Sequence, residues 1–276
     1  MMPATILGGR GFIGRHLAAE LRRRGNPCWL PERDDTQIFQ RPLGCVYYCI
    51  GLTADFRQRP YATIDAHIGV LRQLLERADF EQLIYLSSTR VYAGGHHAEE
   101  DRAIPVATFN PDELYNLSKL MGESLALSCG RACRVARLSN VLGPDMGPTN
   151  FVGALTAEAR ASGRVRLRTA LASEKDYLWI DDAVAGLVAI AERGSQPIYN
   201  LAAGRNVSHG ELTGLLSERG IAIEVAEQAP VTRFPVIPTR RLEQDTGFRA
   251  APVLPLLARW LDGLFAPGDD RLDIIA

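Results

Sequence analysis

The first 24 residues constrain the architecture more than any other stretch of the chain. Ala4 to Leu7 form a short apolar run. It ends in Gly8-Gly9-Arg10-Gly11-Phe12-Ile13-Gly14, and a helical apolar spacing at Ile13, Leu17 and Leu21 follows and stops at Gly25. A strand, a glycine turn and a helix in that order bring bare backbone against a pyrophosphate at a helix N-terminus, where free N–H groups and the helix dipole favour an anion. Gly8 permits the tight turn, Gly11 the close approach and Gly14 the packing of helix on strand, with Phe12 and Ile13 opening the helix beside them. These are the candidate cofactor-binding residues. Arg22, Arg23 and Arg24 fall in the last helical turn, where positive charge suits the dipole and solvent.

Glu32 lies twenty-four residues beyond Gly8, at the end of the second apolar segment Cys28-Trp29-Leu30. An acid there accepts hydrogen bonds from an adenosine ribose and repels a 2′-phosphate, which favours NAD. Arg10 inside the glycine loop and Arg33 after the acid are guanidiniums able to clamp a 2′-phosphate, so NADP stays open.

Beyond this unit, strand and helix patterns alternate. Strands are expected near 4–7, 27–30, 45–50, 82–87 and 133–138, and helices near 12–24, 61–78, 112–129, 150–162 and 181–193. That order predicts an α/β fold with a doubly wound parallel sheet, and Cys45-Val46-Tyr47-Tyr48-Cys49-Ile50 reads as a strand buried on both faces. Asn110-Pro111-Asp112-Glu113 supplies an N-cap, a first-turn proline and first-turn acids, so a helix starts there. After Gly143-Pro144 the pattern is less regular, with short β segments near 164–168, 176–180 and 197–201 and a proline-rich stretch from Pro230 to Pro238. We expect a dinucleotide-binding domain over 1–143, rejoined by 176–202, and a smaller C-terminal lobe from 144–175 and 203–276.

A net charge of −1 and a pI near 6.5 give no electrostatic reason to expect nucleic acid or a membrane surface as partner. The first strand starts at the third residue, leaving no room for a signal peptide, and the chain reads as a soluble cytoplasmic protein. Five cysteines without a Cys-x-x-Cys fit a reducing compartment, and Cys45, Cys49, Cys129 and Cys133 read as apolar filler rather than metal ligands. His96 and His97 read as solvated loop residues.

The chain carries two lysines among 31 basic residues, and one of them, Lys119, follows Tyr115 at a spacing of four in Tyr115-Asn116-Leu117-Ser118-Lys119. Where arginine is the default cation, a lysine at that place suggests a need for a compact ammonium. On a helix this spacing puts both groups on one face, and the ammonium favours the phenolate, making Tyr115 a candidate general acid/base. The strand Leu83-Ile84-Tyr85-Leu86 runs into Ser87-Ser88-Thr89-Arg90, and ligands in open α/β sheets bind beyond such strand ends. A serine hydroxyl there can hold a carbonyl or alkoxide oxygen while Tyr115 moves the proton.

Together, Gly8-x-x-Gly11-x-x-Gly14, Ser-Ser-x-x-Val-Tyr at 87–92, Tyr115-x-x-x-Lys119, Arg137 to Pro144, Lys175 to Asp182 and Tyr199-Asn200-Leu201 resemble the extended short-chain dehydrogenase/reductases, the NAD-dependent epimerase/dehydratase family. The resemblance implies a Rossmann-type domain with a substrate-binding lobe, a nucleotide-diphosphate sugar as substrate and a homodimer. It places Ser88 at the catalytic serine position, Tyr115 as acid/base, and Lys119 on the nicotinamide ribose. Asn140 and Asn150 match asparagines lining the diphosphate and nucleotide, Lys175 stands where an arginine is usual, and Arg233, Arg240 and Arg241 are within the lobe that would reach the diphosphate. His67 stands where an asparagine is common. Leu71, Leu74, Leu75, Leu117, Leu120 and Met121 are candidates for pairing across a two-fold axis, or for the core.

The resemblance implies hydride chemistry at a sugar carbon, C4 being the expected one. Sugar 4,6-dehydratases of this family carry an Asp-Glu pair directly after the serine or threonine. Thr89 and Arg90 occupy those places and cannot replace two carboxyls. The expected activity is therefore a nucleotide-sugar 4-epimerase, with a 4-ketoreductase as the alternative and a non-catalytic NAD(P)-binding sensor as the reading from another class.

Overall fold

The computed structural model describes residues 3–52 and 55–266. The chain begins with β1 (Ala4–Leu7), α1 (Phe12–Arg23), β2 (Cys28–Trp29) and β3 (Cys45–Tyr48). Next come α2 (Pro60–Ile64) and α3 (Val70–Arg77), joined without a break by a π-helical turn at Asp65–Gly69, then β4 (Gln82–Ser88), α4 (Leu114–Ser128) and β5 (Cys133–Leu138). After these follow β6 (Asn140–Leu142), α5 (Phe151–Ser162), β7 (Arg164–Leu167), β8 (Glu174–Trp179), α6 (Ile180–Arg193) and β9 (Ile198–Leu201). The described chain closes with β10 (Asn206–Ser208), α7 (His209–Ser217), β11 (Ala222–Val225), α8 (Arg240–Thr246) and α9 (Val253–Leu264).

Six strands form one parallel sheet in the order β2-β1-β3-β4-β5-β9. The chain moves from β1 to β2 on one side and then to β3 on the other, so the order reverses between β1 and β3 and a crevice opens at their carboxyl ends. Both faces of the sheet are apolar because successive side chains of a strand point opposite ways. In β4, Ile84 and Leu86 join Leu17, Leu21, Leu187 and Ile190 in one layer, while Leu83 and Tyr85 join Leu71, Leu74, Ala126 and Val135 in the other. Leu71, Leu74 and Leu75 are therefore core and give no surface for a partner. Leu117 and Leu120 are half-buried, and Met121 is exposed.

The strongly periodic elements lie where the sequence predicts them, within about two residues. The helix expected from 112 begins at Leu114, after a 3₁₀ turn at Pro111–Glu113 that Asn110 caps by accepting the Asp112 N–H. In the C-terminal part, β8 pairs with β6 and β10, and β7 with β11, in two small sheets, while β9 completes the parallel sheet. Among the described residues no helix is long and apolar enough to cross a membrane.

Candidate active site

The crevice between β1 and β3 is floored by backbone. Gly8 takes φ +78°, and a Cβ there would lie 2.9 Å from the Cys49 carbonyl carbon; one on Gly14 would lie 2.4 Å from the Gly8 oxygen. No side chain caps α1 at Gly11, so the N–H groups of Phe12, Ile13 and Gly14 are left for an anion. This cradle fits the pyrophosphate of a dinucleotide. Glu32 sits just after β2, where its carboxylate pairs with Arg10 from the glycine loop, both exposed, and Arg33 is exposed beside it.

Next along the sheet edge, α4 turns Tyr115, Ser118, Lys119 and Glu123 inward. Tyr115 is only 3% and Lys119 only 5% exposed. The Lys119 ammonium donates to the Leu86 carbonyl at 2.8 Å, and burial lowers its pKa to about 8 against the opposing pull of Glu123 and Cys49. A Cβ on Gly51, just past β3, would lie 3.5 Å from both Lys119 Nζ and His67 Nε2, so the two groups meet at the crevice.

His67 ties this corner together. Its Nε2 accepts the Leu52 N–H at 3.3 Å, which assigns the proton of the neutral ring to Nδ1, and Nδ1 donates to Ser118 Oγ at 2.8 Å. Ser118 passes its own proton to the Tyr115 carbonyl at 2.8 Å. Burial and the Lys119 cation hold the His67 pKa down at about 2, so the imidazole is a fixed neutral wedge. Its ring meets the Tyr115 ring edge-on with centroids 5.3 Å apart, and Phe56 packs on Tyr115 at 5.6 Å. His67 thus acts as a positioning residue for Tyr115. In the sequence it stood out only as a departure from the family pattern.

The two serines ending β4 have different tasks. Ser87 donates to Glu123 Oε1 at 2.5 Å and belongs to a buried cluster in which Arg137 forks onto Glu123 and donates to the Tyr92 hydroxyl, which donates on to Asn200. Ser88 Oγ instead accepts the Arg90 N–H at 3.2 Å, and among the described residues its hydroxyl proton has no acceptor, so it can donate to a bound oxygen. Thr89, next in the chain, is buried. Glu123 was not singled out from the sequence, although it lies four residues after Lys119 on the same helix face.

The remaining candidates are spread over the C-terminal side. Asn140 donates to the Asp176 carbonyl at 2.9 Å. Asn150 caps α5, accepting from Val152 and Gly153 and donating to Val141, so its carboxamide keeps one N–H to offer. Lys175 projects from β8 with Nζ 5.4 Å from the Phe151 ring, and burial together with Arg90 lowers its pKa. Arg233 is exposed and bridges by its backbone to Glu174. Arg241 is held by Glu100 and Asp101, and Arg240 lines an open depression with His96, His97 and Val236 that includes none of Ser88, Tyr115 or Lys119.

Residues 4–202 match the NAD dependent epimerase/dehydratase family. The chain belongs to that family. It is 30% identical over 193 residues to dTDP-glucose 4,6-dehydratase from Streptomyces griseus, covering 66% of this chain and 56% of that protein, so the match spans little more than half of the dehydratase. It is 24% identical to dTDP-6-deoxy-L-talose 4-dehydrogenase (NAD(P)(+)) from Kitasatospora kifunensis over 81% of each chain. Among solved structures, UDP-glucuronic acid 4-epimerase from Bacillus cereus, in complex with UDP-glucuronic acid and NAD, shares the fold with a TM-score of 0.80. That match has 17% identity and covers 95% of this chain and all of the other.

Proposed function

We propose that this family member is an NAD-dependent enzyme acting on a nucleotide-diphosphate sugar, and that it is a 4-epimerase working through a transient 4-keto sugar. The observation that carries the reading is the grouping of Tyr115, Lys119 and Ser88, whose hydroxyl proton has no acceptor among the described residues, beside the glycine-lined crevice. Bound NAD would supply the acceptor and donor of hydride. Tyr115, as phenolate, takes the proton of the C4 hydroxyl and later returns it, while Ser88 donates a hydrogen bond to that oxygen as it becomes a carbonyl. Lys119, charged below about pH 8, stabilises the phenolate and holds the nicotinamide ribose.

Gly8, Gly11, Gly14, Phe12 and Ile13 hold the pyrophosphate, and Glu32 the adenosine ribose. Pairing of Arg10 with Glu32 occupies one of the two guanidiniums able to hold a 2′-phosphate, which supports NAD over NADP. Asn140, Asn150 and Lys175 face the diphosphate and nucleotide. Thr89 and Arg90 offer no carboxyl, which argues against dehydration despite the similarity to a dehydratase. The similarity over most of its length to a 4-dehydrogenase favours a 4-ketoreductase as the second reading. Tyr61 on α2 and Met121 on α4 are apolar and 85% and 57% exposed, and these two helices are the face through which a homodimer would form.

Product analysis with UDP- and dTDP-hexoses and their uronates tests the reading. A 4-epimerase interconverts the C4 epimers with catalytic NAD and no net change in redox state. Stoichiometric consumption of NADH or NADPH by a 4-keto sugar, with no epimer formed, replaces it with the ketoreductase.

A further inference from the structure

Arg90 is half-buried at the sheet edge, on the 3₁₀ turn directly after Ser88. Its guanidinium lies 4.9 Å from the Phe56 ring centroid and 5.4 Å from that of Tyr115. Of its five N–H donors, one is used among the described residues, in a 3.4 Å bond to the Asp112 carbonyl. The nearby acids are committed elsewhere, Asp112 to Arg57 and Glu113 to Asn116. Arg131, also half-buried without an acid, spends its donors on the carbonyls of Leu75, Ala78 and Phe80, so the chain can satisfy such a group when it is structural.

Lys175 is the second cation of this region. It has no carboxylate partner among the described residues, and it and Arg90 interact as like charges. Two desolvated cations that repel each other cost stability unless anions reach them. A diphosphate at Lys175 answers one of them. Arg90 stands over the ring of the proton-transferring Tyr115, at the end of the site where the sugar reacts. In a pyranose the C6 carboxylate hangs from C5, next to C4, so its oxygens come within a few ångströms of the atom that Tyr115 serves.

On this basis, and resting on the nucleotide-sugar reading above, we propose that Arg90 forks onto a carboxylate of the sugar, and that the substrate is a nucleotide-diphosphate uronic acid rather than a neutral hexose. The test measures dissociation constants on the NAD-loaded protein for UDP-glucuronate, UDP-glucose and the two dTDP counterparts. A charge-assisted bidentate contact predicts a preference of about 10- to 100-fold for the uronate within a nucleotide pair. Arg90→Met brings that ratio to within about threefold of unity, and Arg90→Lys keeps part of it. A wild-type protein that favours the neutral hexose, or an Arg90→Met variant that keeps the uronate preference, overturns the inference while the nucleotide-sugar reading stands. Failure of all four ligands to bind, with NAD still bound, overturns both.

Discussion

Arg137 and Arg90 flank the carboxyl ends of neighbouring strands, and their surroundings are opposite. Arg137 is 4% exposed and four of its five N–H donors are placed: Glu123 takes a fork from it, the Tyr92 hydroxyl and the Glu100 carbonyl accept from it, and against the pull of burial Glu123 and Tyr92 push its pKa up. Arg90 has aromatic neighbours, one long hydrogen bond and a like charge across the site, and burial lowers its pKa. A buried guanidinium held by an acid and two further acceptors is scaffold, because removing one partner strands the other. Arg90, with most of its donors unused among the described residues and the Tyr115 ring beside it, suits the carboxylate-binding role proposed above. The same contrast separates the adjacent serines, Ser87 locked onto Glu123 and Ser88 with its proton free.

The comparison can be broken most forcefully at Glu123. Glu123→Ala leaves Arg137 buried without its acid and is expected to cost about 3–5 kcal/mol, read as a fall in the denaturant midpoint at unchanged slope. A loss below about 1 kcal/mol contradicts the scaffold role. Ser88→Ala, on the other cluster, should lower kcat by about 10²- to 10³-fold while the melting temperature holds, as for the loss of one donor to a developing oxyanion.

A smaller effect concerns pH. The folded Lys119 pKa, about 8, lies below that of a free lysine, so the penalty of its buried cation is fully present below pH 8. Between there and about pH 10.4 the folded chain sheds this proton while the unfolded chain keeps it, and unfolding curves should show stability rising by up to about 1.4 kcal/mol per pH unit. Lys119→Met removes that rise, and in the wild type turnover declines over the same window as the ammonium is lost. The smallest expected effect is that of Arg90→Met on stability. It stays within about 0.5 kcal/mol of wild type by thermal or denaturant unfolding, since only one long bond to the Asp112 carbonyl is lost and no acid is stranded.

Much of the scaffold was legible in the residues because it is built from local signals. The glycine loop fixes β1, α1 and the crevice together, and Asn110-Pro111 fixes the start of the helix carrying Tyr115 and Lys119. β6, β10 and β11 were not legible: three or four residues long, they exist through pairing with β8 and β7, remote in the chain. α7 was not read from the sequence either, although Ser208 and Glu211 form a reciprocal cap of the kind a sequence can show. Within the site, spacing pointed to Tyr115 and Lys119 but said nothing of His67, which reaches Ser118 and Tyr115 only through the fold. Nor could spacing reveal that Asn150 spends its carboxamide oxygen on capping α5 and one N–H on Val141. Arg90 registered in the sequence as a missing carboxylate; that no acid of the described residues pairs with it is visible only once the acids around it are placed.

The central claim is that the Tyr115 oxygen carries the proton of the reacting hydroxyl at a nicotinamide site. The most direct measurement is single-turnover product formation by Tyr115→Phe with NAD and the nucleotide sugar both shown to be bound. The account predicts a rate about 10²- to 10⁴-fold below wild type with both affinities retained. Turnover at the wild-type rate by that variant contradicts it.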